Sequence, residues 1–342
     1  MAAHANVSIG TVDRVIHNRG EVSAKTAERV NEAIDKLGYQ PNLIARSLAT
    51  KVNHKLAVFL PDSTDTNDYW HYPILGIRQA IDEISDHGIN IRFYFFDLKK
   101  EEDFLKKGKL LISDAPDVVI TAPMFMGNQN TIFSQLDQHG IKYVLIDSDV
   151  SSSSRMAFVG QHSERSGLVA GRLMSSLINA GDNILITNIQ SGSDIIPVIQ
   201  KRIKGFSDYL GEHRASSKVF ELNMPLESNS SGPLIQHIEE HQVKGVFVPS
   251  SRAHIVADFL KDQNAPDIKI IGYDLIKSNI KYLKDGLIDC LISQRPAKQG
   301  YHGVMSLFNH LVKKENSLQN IILPIDIILK ENVDDYISSI QL

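Results

Sequence analysis

The sequence predicts an α/β protein in which a small all-helical head precedes a much larger body built on parallel sheets. Eight short apolar runs recur through the body, and each is followed by a segment long enough for a helix. They are LAVFL, INIRFYFF, DVVITA, YVLID, NILIT, GVFVP, IKIIGYD and DCLIS. Continuous apolar strands that alternate with amphipathic helices indicate a parallel sheet covered on both faces. The first forty residues instead contain two short amphipathic helices, which must pack together to bury their apolar faces.

Composition limits the class of protein. A chain of 342 residues is longer than one ordinary domain, and its 42% apolar and 22% charged residues are typical of a globular protein. The single cysteine, Cys290, excludes an internal disulfide and a thiolate metal cluster. No apolar run reaches the roughly 20 residues of a membrane span, and the beginning, MAAHANVS, does not resemble a signal peptide. We therefore expect a cytoplasmic protein without a membrane partner.

Charge is distributed unequally between head and body. Residues 1–54 contain seven Lys or Arg and five Asp or Glu, a net charge of +2. The remaining residues contain 29 basic and 35 acidic side chains, a net charge of −6. The sign of this difference favours a head that faces nucleic acid.

In the head, Ser8 is a good N-cap for a first helix, and Asn18 or Gly20 can end it. Ser23 can cap a second helix, which Gly38 would end. The apolar faces of the two helices contain Val12, Val15 and Ile16, and Ala27, Val30, Ala33, Ile34 and Leu37.

The segment PNLIARSLAT, residues 41–50, separates the head from the body. Pro41 suits the first turn of a helix, and Leu43, Ala45, Leu48 and Ala49 give the segment an apolar stripe. Ten residues are too few for a stable helix in water without a partner. The segment is therefore predicted to be a helix that forms only when it docks, and the alternative is an ordinary linker.

Ligands of open parallel sheets bind at the carboxyl ends of the strands, which selects the residues just after each apolar run. These residues are polar and include the only tryptophan, a combination that suits the hydroxyls and C–H faces of a sugar. They are Asp62, Asn67, Tyr69, Trp70, Asp147, Gln161, His162, Gln190, Ser191, Ser250, Ser251, Asp274 and Gln294.

The stretch VSIGTVDRVIHNRGEVSAKTAERVNEAIDKLGYQPNLIARSLA resembles the DNA-binding head and hinge of the LacI/GalR family of bacterial transcription regulators. The resemblance makes residues 8–17 the recognition helix and residues 41–50 a hinge whose Leu48 wedges between base pairs. Arg14 is the most capable base reader, because a guanidinium can address guanine O6 and N7 together, and the alternative is a salt bridge to Asp13 or Glu28. The implied DNA-binding residues are Ser8, Ile9, Gly10, Thr11, Arg14, His17, Asn18, Asn42, Ala45 and Leu48.

The head departs from the family at its beginning. The family has a full helix before the recognition helix, and only MAAHAN stands in its place, so roughly eight to ten residues of a normal helix are absent. We therefore expect the inner faces of Val12, Val15 and Val30 to be exposed and DNA binding by this chain to be weak.

The body resembles the type I periplasmic sugar-binding fold that the same family uses as its effector domain. The matching motifs are VGQHSERSGLVAGRLM, RIKGF, IIGYD, LKDGLIDCLISQRPAKQGYHGV and a closing strand near ILPIDIILKEN. The resemblance implies two α/β lobes joined by three crossovers, near residues 160–163, 293–296 and 321–324. The predicted domains are a head at 1–40, a hinge and linker at 41–54, and an effector-binding domain at 55–342. Its lobe one would be 55–160 and 296–321, and its lobe two 163–293 and 324–342.

The segment NDYWHYPILGIRQAIDEISDHG resembles the ribose-type receptors, in which an Asn and two aromatics close over the sugar. The implied ligand-binding residues are Asn67, Tyr69, Trp70, Asp147, His162, Arg202, Ser250, Asp274 and Gln294. His162 stands where the family usually has an acidic residue or Asn, and Ser250 begins a Ser-Ser pair in place of an Asn-Asp pair. Three alternatives remain: Asp274 caps the next helix, Trp70 fills the seam between the lobes, or Arg202 pairs with Glu221.

These features predict a ligand-responsive transcription regulator, a repressor that binds operator DNA as a homodimer and senses a carbohydrate, with no cofactor. A solute-binding receptor is the alternative, and it should have an export signal and no basic head. An α/β enzyme would need a nucleophile elbow, a phosphate-binding glycine loop or a metal motif, and no GxSxG, GxGxxG, Walker or HExxH pattern occurs. We therefore expect no catalytic activity.

Overall fold

A computed structural model describes residues 1–16, 20–37, 54–85, 89–150, 155–190, 196–214, 216–226, 231–261, 268–314 and 318–340, without the side chains of 126–131 and 190. The chain divides into two compact units, residues 1–52 and 53–342. No helix in the described part of the chain is both long and apolar enough to cross a lipid bilayer.

The first unit contains three helices in its described residues: α1 (Ala2–Ala5), α2 (Ile9–Ile16) and α3 (Ala24–Leu37). The side chain of Ser8 accepts a hydrogen bond from the Thr11 N–H at 3.1 Å, which is the predicted N-cap of α2. Ser23 precedes α3, and its hydroxyl lies 2.8 Å from the hydroxyl of Thr26.

The expected exposure of the inner faces of α2 and α3 is wrong for two of the three valines. Val12 and Val30 are buried in a small core with Ala5 and Ala33, while Val15 is partly buried against it. The single turn of α1 covers these side chains, because Asn6 adopts a left-handed conformation that ends α1 and turns the chain towards α2. The guanidinium of Arg29 on α3 donates to the carbonyls of Ala5 and Asn6 and fixes this turn in place.

The second unit contains two lobes, each with its own sheet, and the described strands form two six-stranded sheets. The sheet of lobe one has the order β11-β5-β4-β3-β1-β2, and all its strand pairs are parallel. Its strands are β1 (His54–Pro61), β2 (Ile89–Phe96), β3 (Val118–Thr121), β4 (Lys142–Ile146), β5 (Ala157–Gly160) and β11 (Ile321–Ile322). The helices are α4 (His71–Ile84), α5 (Glu101–Ser113), α6 (Met126–Gln138) and α12 (Pro296–Leu311).

The sheet of lobe two has the order β12-β10-β9-β8-β6-β7, which repeats the topology of lobe one. Its strands are β6 (Asn183–Gln190), β7 (Val219–Pro225), β8 (Val243–Phe247), β9 (Lys269–Tyr273), β10 (Cys290–Ser293) and β12 (Asp326–Ile328), the last antiparallel to β10. The helices are α7 (Ser163–Leu177), α8 (Pro197–His213), α9 (Gly232–Glu240), α10 (Ala253–Lys261), α11 (Lys277–Lys284) and α13 (Val333–Ile340). The predicted fold class, α/β with parallel sheets and a helical head, is confirmed.

The chain passes between the lobes after β5, after β10 and between β11 and β12. The buried side chain of Gln161, in the first passage, donates to the carbonyl of Ser293 at 2.9 Å and to that of Pro324 at 2.5 Å, so it joins all three passages. The single closing strand predicted near residues 322–332 is instead two short strands in different sheets. Pro324 lies between them, where it has no N–H to give to a ladder.

Close helix pairs build the inner side of each lobe. In lobe two, Gly167 on α7 lies against the backbone of Arg202 on α8, and Gly205 on α8 lies against the backbone of Glu164. A Cβ at either glycine would overlap a backbone carbonyl, so the two helices reach this distance only with glycine at both positions. The predicted RIKGF motif is therefore a packing motif that sets the position of Arg202.

Candidate functional site

A cavity of about 610 Å³ lies between the two lobes at the carboxyl ends of their strands. Its volume falls in the usual range for small-molecule sites. Eight of the nine predicted ligand-binding residues line it: Asn67, Tyr69, Trp70, Asp147, Arg202, Ser250, Asp274 and Gln294.

Asp147 and Asp274 hold equivalent positions in the two lobes. Asp147 directly follows β4 and Asp274 directly follows β9, and these strands have the same place in the two sheets. Both residues adopt left-handed backbone conformations, with φ of 66° and 65°. Such conformations are uncommon outside glycine and cost free energy, although Asp tolerates them better than most residues. Their recurrence at two equivalent strand ends is typical of a binding site.

Arg202, which is 3% exposed, is held in one orientation by lobe two. Its Nη1 donates to the carbonyl of Pro249 at 2.9 Å, and its guanidinium lies 3.8 Å from the ring centroid of Tyr273. Tyr273 in turn lies beside Phe247, which stacks on Phe206 with ring centroids 4.1 Å apart. Three packed aromatic rings therefore support one face of the guanidinium. Arg202 bonds to Pro249 and Gln294 instead of pairing with Glu221, which was the predicted alternative.

Two glutamines connect the charged groups of the two lobes. Gln294 accepts a hydrogen bond from Arg202 Nη2 at 2.8 Å and donates to Asp274 Oδ2 at 3.0 Å. Gln299 on α12 accepts from the Asp147 N–H at 2.7 Å and donates to the carbonyl of Gln294 at 2.9 Å. The side chain of Asp274 and the backbone of Asp147 therefore belong to one hydrogen-bond network that passes through the second crossover.

Burial changes the protonation of these groups. It raises the pKa of Asp274 to about 7, although the guanidinium of Arg202 acts in the opposite direction. Burial also raises the pKa of Asp147, against the influence of Arg202 and of the Tyr69 hydroxyl. The pKa of Tyr69 lies well above its usual value, mainly because of burial, so Tyr69 remains protonated and donates to Asp147 Oδ1 at 2.7 Å. Helices α8 and α11 begin at the cavity, and their N-termini favour negative charge there.

Three buried polar atoms of these residues have no hydrogen-bond partner within the described part of the chain: Asp274 Oδ1, Arg202 Nε and Ser250 Oγ. A buried polar group without a partner is costly, and such groups in a cleft indicate a ligand or ordered water. Asp274 Oδ1 accepts, Arg202 Nε donates, and a serine hydroxyl can do either. A hydroxylated ligand can satisfy all three.

Trp70 and a group of apolar side chains form the remaining wall. Trp70 is buried in the core of lobe one and contacts the ring of Tyr69 edge-on, with centroids 5.1 Å apart, so it belongs to both core and cavity. Asp274 does not cap α11, whose N-cap position is Ile276 and has no side-chain cap bond. The apolar lining residues besides Trp70 include Met124, Phe125, Ile196, Val198, Ile199, Leu226, Ile255 and Ile276.

His162 is the predicted residue that the structure does not bring to this cavity. Its neighbour Gln161 turns inward to the crossovers, so the side chain of His162 faces the opposite way and is exposed. It lines a separate cavity of about 500 Å³ with Arg165 and Lys201. His162 is therefore not a candidate ligand-binding residue of the cavity between the lobes.

Several lining residues were not predicted from the sequence. Asp97 and Phe125 follow β2 and β3, so the strand-end rule would have found them if it had been applied to those strands. Asn279 on α11 does not line the cavity, but it is fully buried behind it and gave no such signal. Its side chain donates to the carbonyls of Ser251, Tyr273 and Asp274 at 2.9, 2.8 and 3.0 Å, so it fixes two strand-end loops together. Gln190 and Ser191, two further strand-end candidates, lie outside the described side chains.

In the head, the beginning of α2 presents an open surface. Ile9 is 81% exposed, and Ser8, Gly10 and Arg14 are exposed too, while Thr11 is partly exposed. Arg14 forms no ion pair with any described residue, so the alternative pairing with Asp13 or Glu28 is not seen there. An exposed isoleucine and an exposed guanidinium on one helix suit the thymine methyl and guanine edges of a major groove. The predicted contacts His17, Asn18, Asn42, Ala45 and Leu48 lie outside the described residues.

A helix-turn-helix head that precedes a two-lobed binding domain in one chain defines a ligand-responsive DNA-binding regulator. The model of bacterial regulatory proteins of the lacI family matches residues 1–42, and that of the periplasmic binding protein domain matches residues 57–315. The chain belongs to the LacI family of bacterial regulatory proteins, and its body is a periplasmic binding protein domain.

Similar proteins cover nearly the whole chain. The HTH-type transcriptional regulator RegA of Clostridium saccharobutylicum is 24% identical over 97% of both chains. The ribose operon repressor of Lactococcus lactis is 26% identical over 97% of this chain and 96% of its own. A Bacteroides fragilis protein described as a LacI transcriptional regulator has a solved structure that is 29% identical. It covers 83% of this chain and 100% of its own, with a TM-score of 0.76.

Proposed function

We propose that this chain is a sugar-responsive transcriptional repressor with no catalytic activity of its own. Its head binds operator DNA, and the cavity between its lobes binds the effector. We propose further that it acts in the cytoplasm as a homodimer, with one head on each half of a pseudo-palindromic operator. Residues 41–54, outside the described residues except for His54, would be the hinge through which the lobes act on the DNA.

One observation carries the effector assignment. Asp274 Oδ1 and Arg202 Nε are a buried acceptor and a buried donor without partners among the described residues, and Gln294 bonds to both side chains. Neighbouring sugar hydroxyls provide the donor and the acceptor that these two atoms need. Trp70 and Phe125 also line the cavity, and aromatic rings suit the C–H groups of the same sugar. The ribose operon repressor among the relatives supports a pentose as the first ligand to test.

A thermal-shift screen of the full chain against sugars, polyols and nucleosides tests the assignment. We expect at least one pentose or hexose to raise the Tm, because a ligand at 100 times its Kd stabilises a protein by about 2.7 kcal/mol. Asp274→Ala should remove that shift. A shift of the same size in the variant, or a response to nucleosides alone, would contradict the proposal.

A further inference from the structure

The carboxylates that line the cavity fall into two groups with different exposure. Asp147 and Asp274 are buried, and with Arg202 they form what we term the inner chamber. Four other acidic residues line the more open part of the cavity, and all belong to lobe one. We name this group the acidic rim: Asp62, Asp68, Asp97 and Glu101.

The acidic rim keeps a negative charge after its contacts are counted. Asp97 accepts a hydrogen bond from the Lys99 N–H at 2.9 Å and lies 3.2 Å from the ammonium of Lys100. Asp68 accepts from the Trp70 N–H at 3.1 Å, a contact that neutralises no charge. The carboxylates of Asp62 and Glu101 have no ionic partner within the described ranges. Of the basic residues that line this part, Lys99 belongs to lobe one and Arg252 to lobe two.

The inner chamber does not offset the negative charge of the acidic rim. It holds two carboxylates and one guanidinium, and two of the guanidinium nitrogens already bond to Pro249 and Gln294. Each of these two nitrogens uses one of its N–H groups in this way, and Arg202 Nε has no partner among the described residues, so part of the guanidinium's donor capacity is already committed. A doubly ionised phosphate supplies acceptors only, so it cannot donate to Asp274 Oδ1 when that carboxyl is ionised.

We propose that the cavity selects an uncharged, hydroxyl-rich effector over the phosphate ester of the same sugar, and that the acidic rim acts as the charge filter. This inference rests on the proposed function, because it concerns the same cavity. A phosphate group carries a charge of about −1.5 to −2 at neutral pH and would have to approach the rim carboxylates within a Debye length of about 8 Å. Repulsion at that distance weakens binding of the ester and leaves the free sugar unaffected.

Paired ligands test the selection. Isothermal titration of the full chain would use D-ribose, D-arabinose, D-glucose and D-fructose, each beside its terminal phosphate ester. We expect at least one free sugar to bind and its ester to bind at least about tenfold more weakly, with a difference that shrinks in 0.5 M salt. An ester that binds as tightly as its free sugar would overturn the filter and leave the sugar assignment standing. Binding by neither set would overturn the sugar assignment, and the filter with it.

Two neighbouring substitutions test whether the filter is local. Glu101 lines the cavity, while Glu102, the next residue on α5, is exposed and does not. Glu101→Lys and Glu102→Lys change the net charge equally and place a lysine in the same helical turn. Glu101→Lys should reduce the preference for the free sugar by about fivefold or more, and Glu102→Lys by less than twofold. Equal effects of the two substitutions would show that net charge alone selects the ligand and would contradict a local role of the acidic rim. Asp62→Asn should reduce the preference in the same direction as Glu101→Lys.

Discussion

The side-chain oxygen of Asn67 in lobe one accepts a hydrogen bond at 2.9 Å from the backbone N–H of Ser278 in lobe two. Ser278 lies in the first turn of α11, where backbone N–H groups have no partner within the helix. The bond therefore caps α11 from the opposite lobe, and separation of the lobes would break it. Asn279, the next residue, holds the loop of Asp274, so this contact links closure of the lobes to the effector site.

We predict that Asn67→Ala lowers effector affinity by about fivefold, mainly through faster dissociation, because a capping bond contributes about 1 kcal/mol. Asn67→Asp keeps an acceptor oxygen and should keep most of the affinity. Stopped-flow dissociation and titration calorimetry measure both. If Asn67 acted only as an amide donor to the ligand, the effector affinity of Asn67→Asp would be as low as that of Asn67→Ala. This result would contradict the capping role.

The raised pKa of Asp274 predicts that effector binding depends on pH. A hydroxyl donates to Asp274 Oδ1 only when the carboxyl is ionised, and burial places its pKa at about 7. Affinity should therefore rise about tenfold between pH 6 and pH 8, since the ionised fraction rises by about that factor. Asp274→Asn should bind weakly and show little pH dependence over this range. A flat profile for the unmodified chain would contradict the raised pKa.

The same group should act on stability with the opposite sign. The folded-state pKa of Asp274, about 7, lies above the ordinary Asp value of 3.8, so the folded chain holds this proton more tightly. Without effector, its contribution to stability is full below about pH 4 and is lost as pH rises through 7, by roughly 4 kcal/mol at most. Asp274→Asn removes the buried charge and should raise the Tm at pH 8 more than at pH 5. Chemical denaturation at the two pH values checks this.

Two glycines on α8 should respond oppositely to alanine. At Gly205 the new methyl group would overlap the backbone of Glu164, so α7 and α8 must separate, at a cost of about 1–3 kcal/mol. At Gly211 no atom lies within 4 Å, and alanine should stabilise the helix by about 0.5–1 kcal/mol. Urea unfolding of the two variants measures the difference. Gly205→Ala should also weaken effector binding, because Arg202 lies one turn away. Equal stability of the two variants would disprove the close-packing explanation.

Arg14→Ala in the head should cost about 1–3 kcal/mol on the cognate operator and relax the base preference at one position in each half-site. Arg14 is exposed in the last turn of α2 and forms no ion pair with the described residues around it. Lys36→Ala removes the same charge from the last turn of α3 and should weaken operator and non-specific DNA alike. Electrophoretic mobility shift at fixed salt separates the two outcomes. Unchanged specificity in Arg14→Ala would remove it from base reading.

The sequence predicted much of the cavity because strand ends carry a readable signal. Asp147 and Asp274 follow apolar runs that could only be buried strands, and parallel strands of one lobe end at the same edge. The strand-end rule was wrong for His162, because the strand before it leads into a crossover and the side chain of Gln161 points inward instead. Asn279 and Gln299 could not be found in this way. They lie on helices, and their roles depend on hydrogen bonds to residues that are distant in the chain or in the other lobe.

In the head, the sequence predicted local patterns but not a contact between residues that are distant in the chain. The helix cap at Ser8 and most of the apolar faces of α2 and α3 are local patterns, and they were predicted correctly. Leu37 is the exception, because it was predicted on the apolar face of α3 and is 45% exposed. The burial of Val12 and Val30 was not, because four residues of α1 cover them with the help of Arg29, a contact across more than twenty positions of the chain.

Effector binding between the lobes should change the affinity of the head for DNA. Fluorescence anisotropy can measure the affinity of the full chain for its operator with and without the sugar that raises its Tm. Allosteric coupling of about 1–3 kcal/mol predicts a change of about 5- to 150-fold in the unmodified chain and none in Asp274→Ala, which should still bind operator. An operator affinity that the bound sugar leaves unchanged would contradict the account.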